Sequence, residues 1–185
     1  MTERDTLIEA LARHRGFLLQ AAQGLSEEQA RTRSTVSELT VAGLLKHVAD
    51  TEEEWMAFAA RGAQAMSGSG VYSTEVDWEA VEAQSQASGD DWAGSEWVDT
   101  RFELSETETL DRLRERVLEV AAATEEFLGS ADLEAEHDLP EAPWFEQGAR
   151  WSVRRVALHV LAEVSQHAGH ADIIREALDG QKTMG

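Results

Sequence analysis

Apolar side chains recur every three or four residues along four long stretches of the chain, which is the spacing of one buried helix face. The first stretch covers about residues 3–22, and a capping-box pattern at Ser26 predicts a short helix after it. The second stretch runs from a predicted N-cap at Thr40 to a stop at Gly62. The chain therefore opens with two long amphipathic helices.

The other two stretches lie in the second half of the chain. The third is predicted to begin at Ser105, where Glu108 completes another capping-box pattern, and to end at about residue 128. The fourth is predicted to begin near Ser152 and to end before Gly180. No strong strand pattern accompanies these helices.

A long connection separates the second and third helices. Residues 63–104 are rich in Gly, Ser and Asp and have weak periodicity, with one short helix predicted near residues 78–86. Trp78, Trp92 and Trp97 argue against full disorder of this connection. The pattern as a whole predicts an all-α fold, a four-helix bundle formed by residues 1–185 as one domain, and the long connection allows a crossover topology.

Composition narrows the classes of partner. The formal net charge is −20, so the chain repels phosphate backbones and anionic membrane surfaces, and we expect neither a nucleic acid nor a membrane as partner. There is no cysteine, which excludes a protein thiol as nucleophile or metal ligand. No signal peptide or long apolar run is visible, so a cytoplasmic location is expected.

The fourth helix carries the candidate chemistry. His159, Glu163, His167 and His170 are spaced by three or four residues, which places neighbouring members on one helix face. A Glu–His pair four residues apart can bind one metal ion, as in helical zinc sites. His47 lies in the second helix and can complete a His47–Glu163–His167 group from a facing helix. Three such ligands with an open position are typical of a catalytic zinc site.

Two other pairs have compatible spacing, His167 with His170 and His159 with Glu163. Glu163 and His170 lie about 10 Å apart along the helix axis, and His159 and His167 about 12 Å apart, so neither of these pairs readily shares an ion. His159 and His170 are therefore predicted to orient a ligand, to contact substrate or to act as general acid or base.

Weaker candidates surround this group. Arginines that can attract a substrate carboxylate, although such residues more often only offset an acidic surface, are Arg150, Arg154 and Arg155. Tryptophans that can line a pocket are Trp55, Trp144 and Trp151. The histidines interpreted as ordinary surface or interface residues are His14 and His137.

Two segments resemble a known family. "GLLKHVADTEEEW", which contains His47, resembles the first-histidine helix of the DinB-like superfamily, and "ALHVLAEVSQHAGHADIIREALDG" resembles the segment with its other two ligands. Over nearly its whole length the chain is similar to the mini-circle protein branch and to the metal-binding domain of mycothiol-dependent maleylpyruvate isomerase. The resemblance implies an up-down-down-up bundle that holds a divalent metal, most often zinc or nickel. It assigns the ligand positions to His47, Glu163 and His167, with His170 just outside them.

Characterised members of this superfamily use low-molecular-weight thiols such as mycothiol. The resemblance therefore implies a transferase or isomerase in which an external thiol binds the metal and attacks a small-molecule electrophile. Two alternatives remain open at this point. One is a metal-binding or metal-free bundle that acts as a dimeric interaction or stress-response protein. The other is a metal-dependent hydrolase, which consumes water and needs no thiol.

Overall fold

The computed structural model describes residues 1–66, 100–142 and 144–183. Within these ranges the α-helices, numbered in chain order, are α1 (Glu3–Ala21), α2 (Glu27–Ala30), α3 (Val41–Arg61), α4 (Leu110–Ser130) and α5 (Val153–Asp179). Two short strands are β1 (Glu136–Asp138) and β2 (Arg150–Ser152), and short 3-10 turns cover Ala63–Met66 and Thr100–Phe102. The predicted helix near residues 78–86 and the tryptophans of the connection lie outside the described residues.

The ends of α3 and α5 follow from local capping. The Thr40 side chain accepts a hydrogen bond from the Gly43 N–H at the start of α3, and α3 ends at Gly62, which has a φ of 79°. Ser152 caps α5 in the same way, and Gly180 ends that helix in the left-handed conformation. A residue in this region is most easily glycine, because it has no Cβ. The predicted boundaries of both helices are confirmed.

The start of α4 differs from the prediction. The backbone N–H of Ser105 does donate to Glu108 Oε2 at 2.7 Å, but this pair forms a turn before the helix. The helix begins at Leu110, with Thr109 as N-cap. Glu27 of α2 accepts the Leu110 N–H at 2.7 Å, which satisfies one of the donors that a helix start leaves free. Of the two possible starts of α4, near Ser105 and at Leu110, the later one is observed, and it has a hydrogen bond to another helix.

A small antiparallel ladder precedes α5, although the sequence shows no strong strand pattern there. Its register pairs Glu136 with Ser152 and His137 with Trp151. Strands of three residues are too short to show an alternating pattern, which explains why the sequence did not predict them. The ladder fixes Trp151 immediately before the first turn of α5.

Contacts at the helix ends give the helix directions. Arg154, near the start of α5, pairs with Glu3 at the start of α1, and Arg175, near the end of α5, donates to the Ala21 carbonyl at the end of α1, so these two helices are parallel. Arg4 of α1 instead donates to the carbonyl of Leu128 at the end of α4, so α1 and α4 are antiparallel.

The direction of α3 follows from two ring contacts with α5. His47 near its start contacts His167 in the middle of α5, and Trp55 further along α3 contacts His159, which comes earlier in α5. The helices α3 and α5 are therefore antiparallel, and the long helices run up, down, down and up. This is the predicted all-α four-helix bundle.

The core is built from the apolar stripes predicted for the long helices, and Leu11, Leu18, Leu44 and Val160 are completely buried within it. Among the described residues the buried polar or charged side chains are Arg15, His47, Glu52, Thr124, His167 and Arg175. None of the described helices combines the length and apolar character that crossing a membrane requires.

Candidate metal centre

Three of the predicted site residues meet where α3 and α5 cross. The rings of His47 and His167 lie 4.7 Å apart between centroids, nearly perpendicular, and both side chains are buried. Glu163 is one turn before His167, and its Oε2 lies 3.5 Å from His167 Nε2. One ligand atom from each of these residues lies within 4.8 Å of the others. The structure thus brings together side chains from α3 and α5 that are far apart in sequence.

The chemistry of this group fits a divalent transition metal. Two imidazoles and a carboxylate form a nitrogen and oxygen donor set of the kind that zinc binds. Around a tetrahedral ion with bonds of about 2.0–2.1 Å, neighbouring ligand atoms lie about 3.4 Å apart. The Glu163–His167 pair, at 3.5 Å, already has nearly this separation, and all the ligand atoms of the group lie within 4.8 Å of one another. The Glu163 side chain is 28% exposed, so the group opens toward solvent on that side.

Electrostatics favours an ionised Glu163. A hydrogen bond from His167 lowers the pKa of the Glu163 carboxyl, and nearby histidines lower it further, while partial burial opposes the shift. At neutral pH the side chain is therefore a carboxylate, which is the form that binds a metal cation. Burial lowers the pKa of His159 and outweighs the opposing attraction of Glu163, so His159 is a neutral imidazole at neutral pH.

His159 and His170 lie beside the group on opposite sides. His170 Nδ1 is 3.4 Å from His167 Nδ1, close enough for one ring nitrogen to donate to the other. It therefore contacts the nitrogen of His167 that faces away from Glu163. His159 Nε2 is 4.0 Å from Glu163 Oε1, a contact at the outer edge of the carboxylate.

Two residues near the group were not predicted from the sequence to be site residues. The Thr51 hydroxyl lies 3.5 Å from His47 Nε2, one turn further along α3, a spacing that could have been read from the sequence. The Phe102 ring lies 4.3 Å from the His47 ring. A Cβ at Gly43 would lie 2.7 Å from the Phe102 carbonyl oxygen, so this glycine permits the approach of residues 100–102 to α3.

An aromatic wall adjoins His159. Trp55 and Trp151 stack with centroids 5.0 Å apart and planes at 18°. The His159 ring lies 4.6 Å from Trp55 and 5.1 Å from Trp151. Two of the three predicted tryptophans therefore flank the candidate site, whereas Trp144 is exposed and contacts Phe145.

The remaining histidines lie elsewhere. His14 packs edge-on against Phe17 on α1. His137 of β1 places Nε2 3.2 Å from the Ala59 carbonyl oxygen in the last turn of α3. This contact suits the exposed carbonyls of a helix C-terminus, so His137 links the ladder to α3.

Comparison with known proteins agrees with this architecture. The search of curated proteins found no match. A crystal structure of a conserved protein from Enterococcus faecalis has a TM-score of 0.61 and 14% sequence identity, covering 98% of this chain and 99% of that chain, which shows the shared fold. The family model described as mycothiol-S-transferase matches residues 6–180. The predicted relationship to mycothiol-using DinB-like proteins is confirmed, and the chain belongs to the mycothiol-S-transferase family.

Proposed function

We propose that this protein is a divalent-metal-dependent S-transferase that joins a low-molecular-weight thiol of the mycothiol type to a small-molecule electrophile. The observation that carries the proposal is the convergence of His47, Glu163 and His167 in a member of this family. The chain has no cysteine, so the transferred sulfur comes from an external thiol.

The three converging side chains would hold the metal, and zinc and nickel are the ions we expect for this donor set. When bound, the metal supplies a Lewis acid that lowers the pKa of the thiol and so makes the thiolate available at neutral pH. Glu163, which is already ionised, reduces the net charge of the site when it binds the cation.

Two further histidines have distinct roles in this proposal. His170 is a positioning residue, because its contact with His167 Nδ1 keeps Nε2 of that ring directed toward Glu163. His159 accepts the thiol proton, since its imidazole is neutral and lies next to the open side of the group. In a nucleophilic substitution the thiol sulfur forms a bond to the carbon of the electrophile. The bond from that carbon to the leaving group breaks, and the leaving group departs with the electron pair. The thiol proton passes to His159 and then to solvent.

The metal assignment is tested by elemental analysis of protein purified without a polyhistidine tag and reconstituted with zinc or nickel. We expect about one equivalent of metal in the unaltered protein and its loss in His47→Ala and His167→Ala. His14→Ala is the matched control, because this histidine lies outside the group, and it should retain the metal. Stoichiometric metal in both ligand variants contradicts the assignment.

The reaction class is tested with the metal-loaded protein, a set of low-molecular-weight thiols including mycothiol, and alkyl chloride electrophiles. Release of chloride that requires both thiol and metal supports the transferase. Consumption of an ester or amide without thiol would instead identify a hydrolase. Absence of turnover together with a dimeric mass in solution would favour the interaction protein.

A further inference from the structure

Three arginines near the start of α5 have different electrostatic environments. Arg154 forms ion pairs with Glu3 and Glu134, each at 2.6 Å. Arg150 pairs with two carboxylates of β1. Within the part of the chain that the structure describes, Arg155 has no ion pair, although it is exposed and the protein carries a net charge of −20.

The guanidinium of Arg155 lies over an aromatic ring instead. Its Cζ is 5.0 Å from the centroid of the Trp151 ring. A guanidinium stacked in this way keeps the N–H groups at its edge available, and this planar fork matches the two oxygens of a carboxylate. Trp151 therefore holds a cation without neutralising it.

Arg155 lies on the same helix as two residues of the candidate metal centre, Glu163 and His167. Arg155, His159, Glu163 and His167 follow one another at intervals of four residues along α5. The Trp151 ring contacts the His159 ring at 5.1 Å, and His159 Nε2 lies 4.0 Å from Glu163.

A strongly acidic protein repels an anionic reactant unless a local cation offsets the repulsion. Arg150 and Arg154 are already matched by carboxylates, whereas Arg155 is available for this role. We propose that Arg155 and Trp151 form an anion subsite that binds a carboxylate on one of the two reactants. This inference rests on the proposed S-transfer function.

The spacing constrains the shape of the ligand. Arg155 and Glu163 are eight residues apart, which corresponds to about 12 Å along the helix axis. The carboxylate therefore belongs at the far end of an extended reactant whose reacting atom lies at the metal centre.

The experiment compares two electrophiles with the metal-loaded full chain, N-chloroacetyl-aminocaproic acid and its primary amide. They have the same length and reacting carbon and differ in the terminal charge. We expect kcat/KM to be about five- to tenfold higher for the acid at low ionic strength, with the preference falling as salt is added. Arg155→Gln should reduce the ratio to about one, and Arg155→Lys should retain only part of it.

Arg154→Gln is the matched control, because it removes the same charge at the neighbouring position where two carboxylates already hold it. It should keep the acid preference. If the unaltered protein shows no acid preference with either the electrophiles or the thiols of the series described next, or if Arg155→Gln keeps such a preference, the subsite is overturned. N-mercaptoacetyl-aminocaproic acid and its primary amide, which have the same length as the electrophiles, serve as thiols in a second series with the amide electrophile. An Arg155 dependence that appears only in this series assigns the subsite to the thiol, and one that appears only in the first series assigns it to the electrophile.

Binding separates this inference from the proposed function. N-acetyl-aminocaproate and its amide cannot react, and their affinities are measured by ligand-observed NMR. If no conjugation occurs with any thiol but the acid binds more tightly than the amide and loses this advantage in Arg155→Gln, the transferase proposal fails and the subsite stands. Equal binding of the acid and the amide together with an inactive protein overturns both.

Discussion

Arg15 on α1 and Glu52 on α3 form a salt bridge inside the bundle, with Nε and Oε2 3.0 Å apart and side chains only 4% and 2% exposed. These two helices lie diagonally across the bundle and contact each other little elsewhere. Arg15 also reaches Glu125 of α4 at 3.4 Å. Arg15 therefore links three helices, and its bond to Glu52 has almost no access to water, whereas Glu125 is 45% exposed.

Removing one partner of this pair should be strongly destabilising. Glu52→Ala leaves the Arg15 cation buried, and we expect a loss of about 3–5 kcal/mol in the free energy of unfolding, measured by urea denaturation. Glu115→Ala, which removes the exposed partner of Arg112, is the control and should cost less than about 1 kcal/mol. Replacing both members, as in Arg15→Met with Glu52→Leu, should recover most of the loss. Equal costs for the two single alanine variants would contradict this role of the pair.

Gly43→Ala should disturb the candidate metal centre from outside it. The added Cβ meets the Phe102 carbonyl, so residues 100–102 must move away from α3, and the Phe102 ring moves with them. We expect a loss of about 1–3 kcal/mol in stability and a shift of the His47 ring signals in the NMR spectrum. Gly16→Ala in α1 is the control, because no neighbouring atom lies within 4 Å of its Cβ. It should stabilise the protein by about 0.5–1 kcal/mol without moving the His47 signals.

Glu27 should contribute to stability in a pH-dependent way. Hydrogen bonds from Arg31 and from the Leu110 N–H hold the pKa of Glu27 below its ordinary value of 4.5. Since the folded pKa is the lower one, the contribution is complete above the unfolded pKa and is lost as pH falls through the folded pKa. Unfolding by urea at neutral pH and at progressively lower pH should therefore show a gap between the unaltered protein and Glu27→Gln that narrows with acid. A gap that is constant across this range would contradict the assignment.

His170 should tune the affinity for metal rather than its stoichiometry. The contact between the Nδ1 atoms of His170 and His167 orients the ligand ring, and loss of such contacts commonly weakens metal affinity about 10–100-fold. We expect this loss in His170→Ala, measured by competition with a chelator. His170→Gln, which retains a hydrogen-bonding group, should recover part of it. Unchanged affinity in the alanine variant would show that His170 has no positioning role.

Features of this fold that depend on neighbouring residues were predictable from the sequence. Features that depend on contacts between distant segments were harder to predict. The limits of α3 and α5 depend on Thr40 and Ser152 as caps and on glycines that follow, all of which are read directly. The predicted start of α4 was wrong: the helix begins at Leu110, whose N–H donates to Glu27, a residue distant in sequence. The β1–β2 ladder joins two segments that show no periodicity of their own.

The candidate site likewise contains contacts that the sequence predicts and contacts that only the fold reveals. Glu163 and His167 are helix neighbours, so their pairing follows from spacing, and a bundle brings a facing helix with His47 to them. Phe102 reaches this histidine only because of the close approach at Gly43, which no motif indicates. The Arg15–Glu52 pair could not be predicted from the sequence either. An isolated charged residue in a helix gives no sign of whether its side chain faces solvent or the core.

The four residues Arg155, His159, Glu163 and His167 do not lie on a straight line along α5 but wind around the helix axis. A step of four residues rotates about 40° beyond a full turn, because one residue covers about 100°, so the three steps from Arg155 to His167 rotate about 120° in total. Exposure follows this rotation, from the exposed Arg155 through the half-buried Glu163 to the buried His167. One regular helix thereby leads from solvent to the interior without a break. Inserting or deleting a single residue within this span would swing one end by about 100° relative to the other, so the number of intervening residues is constrained more tightly than their identities.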